Sequence, residues 1–125
     1  MTTTTRDKAR MPEDITTLFV QRLNERDADG MAELYAPDAV LAFPPGQTTV
    51  GRDAIRAVLA QFAAHAQLPV PQEESLAAIR YGDLALTSSQ SKDGTGVRIQ
   101  VTQRQPDGSW LRIIDRPEIH PPAAS

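Results

Sequence analysis

The sequence predicts an α+β domain in which helices come first and an antiparallel sheet follows. Before Leu68, apolar residues recur at helical spacing, and from residue 73 onward the apolar period changes to two. Turn signals then recur at Gly82, Gly94 and Gly108, a spacing typical of an antiparallel meander. Because the helices precede the long strands, we expect them to pack on one face of the sheet.

The first two predicted helices lie before Pro37. The first begins at Pro12, because proline is tolerated in the first turn and the two acids after it favour the positive end of the helix dipole. It ends near Arg26, and Asp27 is a suitable N-cap for a short second helix. That second helix is expected to contain Met31, Leu34 and Tyr35 and to end at Pro37.

A short strand and a third helix come next. The strand is expected over residues 39–43, because Pro44 and Pro45 cannot continue a ladder of hydrogen bonds. The helix is expected from Gly51, with an amphipathic spacing of i, i+3, i+4 and i+7 in its apolar residues. Those apolar residues are Ile55, Val58, Leu59 and Phe62. Four strands follow, at about 73–80, 84–90, 97–105 and 110–116.

Length and composition limit the classes of function. The chain has 125 residues, which suits one domain, expected over 12–119 with flexible tails at 1–11 and 120–125. Its 13 basic and 16 acidic residues form no basic stripe, so we expect no nucleic-acid partner. No apolar run approaches the ~20 residues of a membrane span, and the first residues lack the apolar core of a secretory signal.

Cofactor and metal sites are not expected. The chain has no cysteine, which excludes disulfides, thiol nucleophiles and sulfur-ligated zinc, and fits a cytoplasmic location. His65 and His120 stand far apart without clustered acids, so no metal site is predicted. The glycines near residue 94 lie in a hairpin turn rather than between a strand and a helix, so they do not indicate a phosphate-binding loop.

Four phrases, in their order along the chain, resemble one superfamily. They are NERDADGMAELYAPDAV, VGRDAIRAVLAQF, YGDLAL and PDGSWLRIIDRPE. Together they are similar to small bacterial members of the superfamily of nuclear transport factor 2, ketosteroid isomerase and the SnoaL-like polyketide cyclases. The resemblance implies a cone-shaped, cystatin-like fold, in which three helices and a curled sheet enclose an apolar pocket. This superfold hosts enzymes and non-catalytic binders alike.

The resemblance also locates positions at which ketosteroid isomerases place their chemistry. These enzymes use a carboxylate base, a tyrosine on the first helix and a protonated aspartate on a long strand. In this sequence the three positions carry Phe43, Phe19 and Gln100. Isomerisation by that route is therefore not expected.

Relatives of the limonene-epoxide-hydrolase type imply a different set of residues. They carry an Arg-x-Asp pair on one long strand and a second aspartate on the last strand. Here Arg98-x-Gln100 and Asp115 occupy those places, so one acid has become an amide. Asp115 and Arg98 are the candidate catalytic residues. The alternative for Asp115 is a salt bridge to Arg112, Arg116 or Arg98.

The third long strand alternates apolar and polar residues, and this leaves two assignments of its faces. A one-sided sheet would bury Val97, Ile99 and Val101 under the helices. The resemblance implies the opposite, with Gln100 in the pocket and the apolar residues on the outer face. An apolar outer face is better buried by a partner than exposed to water, so this assignment predicts a homodimer through the sheet.

The leading hypothesis is a pocket protein that binds a small apolar organic molecule, with a cyclase-like or accessory role. The expected pocket residues are Phe19, Tyr35, Phe43, Leu59, Phe62 and Gln100. One alternative is a hydrolase-like enzyme that uses Asp115 and Arg98 with water. Another is a non-catalytic protein-interaction module, which predicts a filled core without a pocket. Whether the chain is an enzyme is left open by its sequence.

Overall fold

The computed structural model describes residues 6–91 and 96–119, and it has the predicted α+β architecture. Three helices pack against one face of an open, curled sheet. The turn expected near Gly94, residues 1–5 of the first expected tail and the whole of the second, 120–125, which includes His120, lie outside the described residues. The helices are α1 (Asp14–Asn24), α2 (Ala28–Ala32) and α3 (Arg52–His65). The strands are β1 (Tyr35–Leu41), β2 (Thr49–Val50), β3 (Glu74–Ser75), β4 (Ile79–Tyr81), β5 (Leu84–Gln90), β6 (Val97–Arg104) and β7 (Trp110–Ile119).

The helices begin as their local sequence predicts. The Asp14 carboxylate accepts hydrogen bonds from the backbone N–H groups of Arg10 and Met11, which fixes the chain entering α1. Asp27 caps α2, because its Oδ1 accepts from the N–H of Gly30 at 3.0 Å. Gly51 precedes α3 with a φ of +92°, a conformation that favours glycine.

The placement of Leu34 and Tyr35 in the second helix was wrong. Helix α2 ends at Ala32, and Tyr35 is the first residue of β1, which runs parallel to β7. Pro37 does not end the strand, because it lies where the pairing of β1 with β7 is irregular and is itself exposed. A proline is tolerated there since no ladder hydrogen bond needs its missing N–H.

The sheet has the strand order β2-β1-β7-β6-β5-β3, and β4 also pairs with β5. It is not wholly antiparallel as predicted, because β1 and β7 are parallel neighbours. The strand expected over 73–80 is two short strands, β3 and β4, which both pair with β5. Ser75 faces Ser89, and Ile79 faces Leu86. The segment from β3 to β4 therefore advances four residues while β5 advances three, so the ladder is interrupted.

A β-bulge in β7 determines which of its side chains point inward. Val101 of β6 faces Ile114, whereas the next residue, Thr102, faces Arg112, so Ile113 is an extra residue in β7. In a regular strand, residues three apart point to opposite faces. The extra residue places Arg112 and Asp115 on the same buried face.

The two faces of the sheet differ in the way that the resemblance implied. Gln100 and Thr102 lie on the face covered by the helices, and both are buried. Val97 is exposed on the other face. A continuous row of apolar residues crosses that outer face through the cross-strand pairs of six strands. We call it the outer row; it consists of Ile79, Leu86, Val101, Ile114, Val40 and Val50.

The N-terminal segment 6–11 is in contact with the domain. The Arg6 guanidinium pairs with the carboxylates of Asp27 and Glu33, at 2.8 Å each. Ala9 is buried, and its carbonyl accepts from the N–H of Trp110 at 3.0 Å. Arg6 and Ala9, which lie within the segment expected to be a tail, therefore contact the rest of the domain. Over the described residues, no helix is long and apolar enough to cross a membrane.

Candidate functional site

A cavity of about 350 Å³ lies between α1, α3 and the inner face of the sheet. Its wall is largely apolar, and the rings of Phe43 and Phe62 meet edge to face with their centroids 5.8 Å apart. Phe62 is partly exposed, so it lies at the margin of the cavity. The residues named from the sequence all line this cavity; they are Phe19, Tyr35, Phe43, Leu59, Phe62, Arg98, Gln100 and Asp115.

A buried polar cluster closes one end of the cavity. The Tyr35 hydroxyl donates to Asp115 Oδ2 at 2.5 Å. Arg112 Nη1 lies 3.4 Å from the same oxygen and 3.3 Å from the Tyr35 oxygen. Arg112 Nη2 lies 3.4 Å from Thr16 Oγ1. Tyr35, Arg112 and Asp115 are at most 4% exposed, so their mutual contacts take the place of hydration.

Aromatic rings also stabilise the buried arginine. The Arg112 guanidinium carbon lies 4.9 Å from the ring centroid of Phe19 and 5.6 Å from that of Tyr35. Cation–π contacts of this kind gain strength where water is excluded. Among the described residues, Arg112 Nε and Asp115 Oδ1 are enclosed without a hydrogen-bond partner. The cluster thus pairs its charges but leaves one donor and one acceptor unused.

The protonation of the cluster follows from burial and charge. Burial, reinforced by the neighbouring Asp115 charge, raises the pKa of Tyr35 well above its usual range, so the phenol keeps its proton. Burial alone would lower the pKa of Arg112, but Asp115 and Tyr35 outweigh burial and the pKa is raised. Tyr35 is therefore a hydrogen-bond donor, and Arg112 remains a cation.

Gln100 lies on the cavity wall, and its side-chain amide uses only its oxygen within the described part of the protein. It is 2% exposed, and its Oε1 accepts from the Thr87 hydroxyl at 2.9 Å. No described residue accepts a hydrogen bond from its Nε2. This amide nitrogen is therefore available to a ligand that supplies an acceptor.

Arg98 and Asp115 belong to separate ion pairs. Arg98 pairs with Glu73, whose other oxygen accepts from the Ser89 hydroxyl at 3.0 Å. Asp115 pairs with Arg112, which is one of the salt bridges considered for it from the sequence. The guanidinium beside the candidate aspartate is therefore that of Arg112.

Sequence reasoning did not place Arg112 or Thr16 at the cavity. Strict alternation along β7 puts Arg112 and Asp115 on opposite faces, and no local signal marks the bulge at Ile113.

The segment 70–73 was also missed as part of the wall. Asn24 of α1 binds it through both backbone groups of Val70, at 2.8 and 3.0 Å. A polar residue on α1 with this role has no distinctive sequence pattern.

A metal site has no support among residues 6–91 and 96–119. They contain no group of three or more histidine, cysteine or acidic side chains placed to hold an ion. His65 is exposed at the end of α3, where its Nδ1 lies 2.9 Å from the Gln61 carbonyl oxygen. It therefore belongs to the helix terminus and does not reach the cavity wall.

Comparison with protein families identifies the chain. The model of the SnoaL-like domain matches residues 16–114, which is most of the chain. The protein therefore belongs to the SnoaL-like domain family. The comparison with curated proteins gave no match.

Solved structures with the same fold confirm the expected architecture. A ketosteroid isomerase-like protein from Erwinia carotovora atroseptica is 19% identical, with a TM-score of 0.71 over 87% of this chain and 94% of that chain. A candidate calcium/calmodulin-dependent protein kinase type II association domain from Thiobacillus denitrificans is 20% identical, with a TM-score of 0.73 over 89% of this chain and 96% of that one. A protein of the nuclear-transport-factor-2-like class from Novosphingobium aromaticivorans, which has a cystatin-like fold, is 18% identical, with a TM-score of 0.61 over 82% of this chain and 75% of that one. At these identities the likeness establishes the cystatin-like fold alone.

The buried phenol gives a prediction for alkaline pH. In a Tyr81→Phe variant, Tyr35 is the only tyrosine, and its raised pKa means that the folded chain keeps a proton that the unfolded chain loses above about pH 10. Stability is therefore expected to fall as pH rises beyond that value. Tyrosinate absorbance should appear only together with the loss of far-UV circular dichroism. Tyrosinate absorbance in a chain that is still folded would contradict the burial of Tyr35.

Proposed function

We propose that the protein binds an uncharged, largely apolar organic molecule in the cavity, with the Gln100 amide donating a hydrogen bond to its polar group. The observation that carries this proposal is a cavity of about 350 Å³ with a largely apolar wall, on which the Gln100 side chain uses its amide oxygen in a hydrogen bond to Thr87 and leaves its amide nitrogen to a ligand. A volume of this order lies at the lower end of the range for small-molecule sites, which combine apolar walls with few polar groups. The cavity also weighs against a pure protein-interaction module, for which we expected a filled core.

The charges on the cavity wall support a neutral ligand. The charged side chains among the described lining residues are two arginines and two carboxylates. Each arginine is paired with one carboxylate, Arg112 with Asp115 and Arg98 with Glu73. An ionic ligand would bring an unpaired charge into a poorly hydrated space, which is costly. A cyclase-like or accessory step on an apolar metabolite fits the same description.

Hydrolysis is a second candidate function, favoured by the position of Asp115. This carboxylate lines the cavity, and its Oδ1 has no partner among the described residues. A carboxylate with a free oxygen can take a proton from water as that water attacks a substrate. Arg112, rather than Arg98, would then be the arginine beside the base. The resemblance to epoxide hydrolases is the origin of this candidate, and the amide at Gln100 weakens it.

We further propose that the protein forms a homodimer through the outer face of its sheet. The outer row joins six strands, and Ile114 near its centre is 51% exposed. Apolar side chains from adjacent strands form a continuous patch, and contiguous patches of this kind are typical of interaction sites. A second copy offers the same patch, so a two-fold contact would cover both rows at once.

Ligand binding is tested by thermal unfolding in the presence of ring ketones, epoxides and aromatic polyketide fragments. A ligand at about 100 times its Kd adds about 2.7 kcal/mol, or about 10 °C in Tm for a domain of this size. Leu59→Trp should fill the cavity and abolish the shift. Ala57→Trp, on the exposed side of α3, should keep it. Equal shifts in both variants would place the ligand outside the cavity.

The variant Asp115→Asn separates binding from hydrolysis. The amide keeps the size of the carboxylate but cannot act as a base, so a hydrolase should lose on the order of a hundredfold or more in rate while retaining its ligand-induced shift in Tm. The measurement is diol formation from bound epoxides, followed by chromatography. If the protein only binds, neither the wild type nor the variant converts an epoxide that shifts its Tm.

Multi-angle light scattering at micromolar concentration tests the dimer. The wild type should have the mass of two chains, and Ile114→Glu should reduce it to one, because a carboxylate would be buried in the apolar contact. Ala57→Glu, on α3, is the matched control and should remain dimeric. A monomeric wild type would refute the dimer without affecting the binding proposal.

A further inference from the structure

The Gln100 side chain can present either of two chemistries to the cavity. Its amide carries an acceptor oxygen and a donor nitrogen, and a half-turn of the amide exchanges them. We propose that Thr87 is a positioning residue that determines this choice: its hydroxyl holds Oε1, so that the NH₂ group faces the cavity. The inference rests on the proposed binding function and names which ligands the site accepts.

The contacts of Thr87 support this role. Thr87 and Gln100 are directly paired neighbours on β5 and β6, and both are buried. The Thr87 hydroxyl has one hydrogen to give. It lies 2.9 Å from Gln100 Oε1 and 3.4 Å from the Gln100 backbone oxygen. In the reverse orientation the hydroxyl would accept from Nε2, and of these two contacts only the backbone oxygen at 3.4 Å, near the limit of a hydrogen bond, would remain for its hydrogen. The orientation with Oε1 toward Thr87 is therefore favoured, because the hydrogen is then given at 2.9 Å.

Nothing else among the described residues holds the amide. The backbone oxygen of Gln100 takes part in the sheet, and the side-chain Nε2 has no protein acceptor in the described part of the chain. The orientation of the amide therefore depends on a single hydroxyl. The site should prefer ligands whose polar group only accepts hydrogen bonds, such as a ketone or ether, over ligands whose polar group only donates.

Three variants of the sheet isolate the hydroxyl. Thr87→Val keeps the shape of the side chain and removes the hydroxyl, so the amide can turn. Thr87→Ser restores the hydroxyl. Thr102→Val is the matched control: Thr102 is a buried threonine on the same face, and its hydroxyl donates to the Ala85 carbonyl at 3.3 Å rather than to Gln100. Any general effect of losing a buried hydroxyl should appear in both valine variants.

The first measurement needs no ligand. In the isotope-labelled free protein, the side-chain NH₂ protons of Gln100 should show nuclear Overhauser effects to the rings of cavity-lining phenylalanines. In Thr87→Val these effects should weaken as the second orientation becomes populated, and in Thr87→Ser they should return. Effects from the NH₂ protons to the Thr87 side chain, without effects to the rings, would overturn the proposal.

The second measurement uses three rigid probes of nearly equal shape. Fluorenone has an acceptor, carbazole has an N–H donor, and fluorene has neither. The wild type should bind fluorenone about three- to tenfold more tightly than fluorene, the gain of one net hydrogen bond. Carbazole should bind no better than fluorene. In Thr87→Val the preference for fluorenone should fall toward one, while Thr87→Ser and Thr102→Val should retain it.

The two measurements separate the two proposals. If the NH₂ group faces the rings but none of the probes binds, the role of Thr87 stands and the binding proposal fails for this ligand class. If the probes bind but Thr87→Val keeps the full preference for fluorenone, the binding proposal stands and the role of Thr87 is refuted. A wild-type preference for carbazole would also refute it.

Discussion

The extra residue at Ile113 in β7 is the constraint on which the buried end of the cavity depends. It brings Arg112 and Asp115 to the same face, where a regular strand would have turned one of them outward. Strand β1 then lies parallel to this part of β7, with Tyr35 opposite Arg112, so the phenol reaches the Asp115 carboxylate. One local irregularity thus assembles a donor, a cation and an anion from two strands that are distant in sequence.

The buried ion pair constrains the rest of the cavity. Removing one partner of such a pair typically costs about 3–5 kcal/mol, because the other charge remains buried and uncompensated. Here the Tyr35 hydroxyl and the Phe19 ring add to the stabilisation of the pair. The charges cancel, so the cluster imposes little net field on a ligand. The other two charges on the wall, Arg98 and Glu73, are paired as well, and the Gln100 amide supplies a neutral polar group.

How far the sequence could predict this arrangement depends on the range of the interactions. The third helix followed from the spacing of Ile55 and Leu59, which is a local signal. The inward position of Gln100 followed from the alternation of apolar and polar residues along β6, once the resemblance indicated which face of the sheet lines the pocket. Arg112 and the strand position of Tyr35 could not be predicted, because a bulge and a parallel pairing across most of the chain fix them. Both the bulge and the parallel pairing depend on tertiary contacts, which override local propensity.

The same geometry ranks the candidate functions. Hydrolysis requires a water molecule to reach the Asp115 carboxylate. Oδ2 of that carboxylate already contacts Tyr35 and Arg112, and Oδ1 is enclosed. The wall would have to move before that oxygen could take a proton. Ligand binding requires no such movement, because the apolar wall and the Gln100 amide already line the cavity. Preorganisation of this kind lowers the cost of binding, so the geometry favours the proposed binding role over hydrolysis.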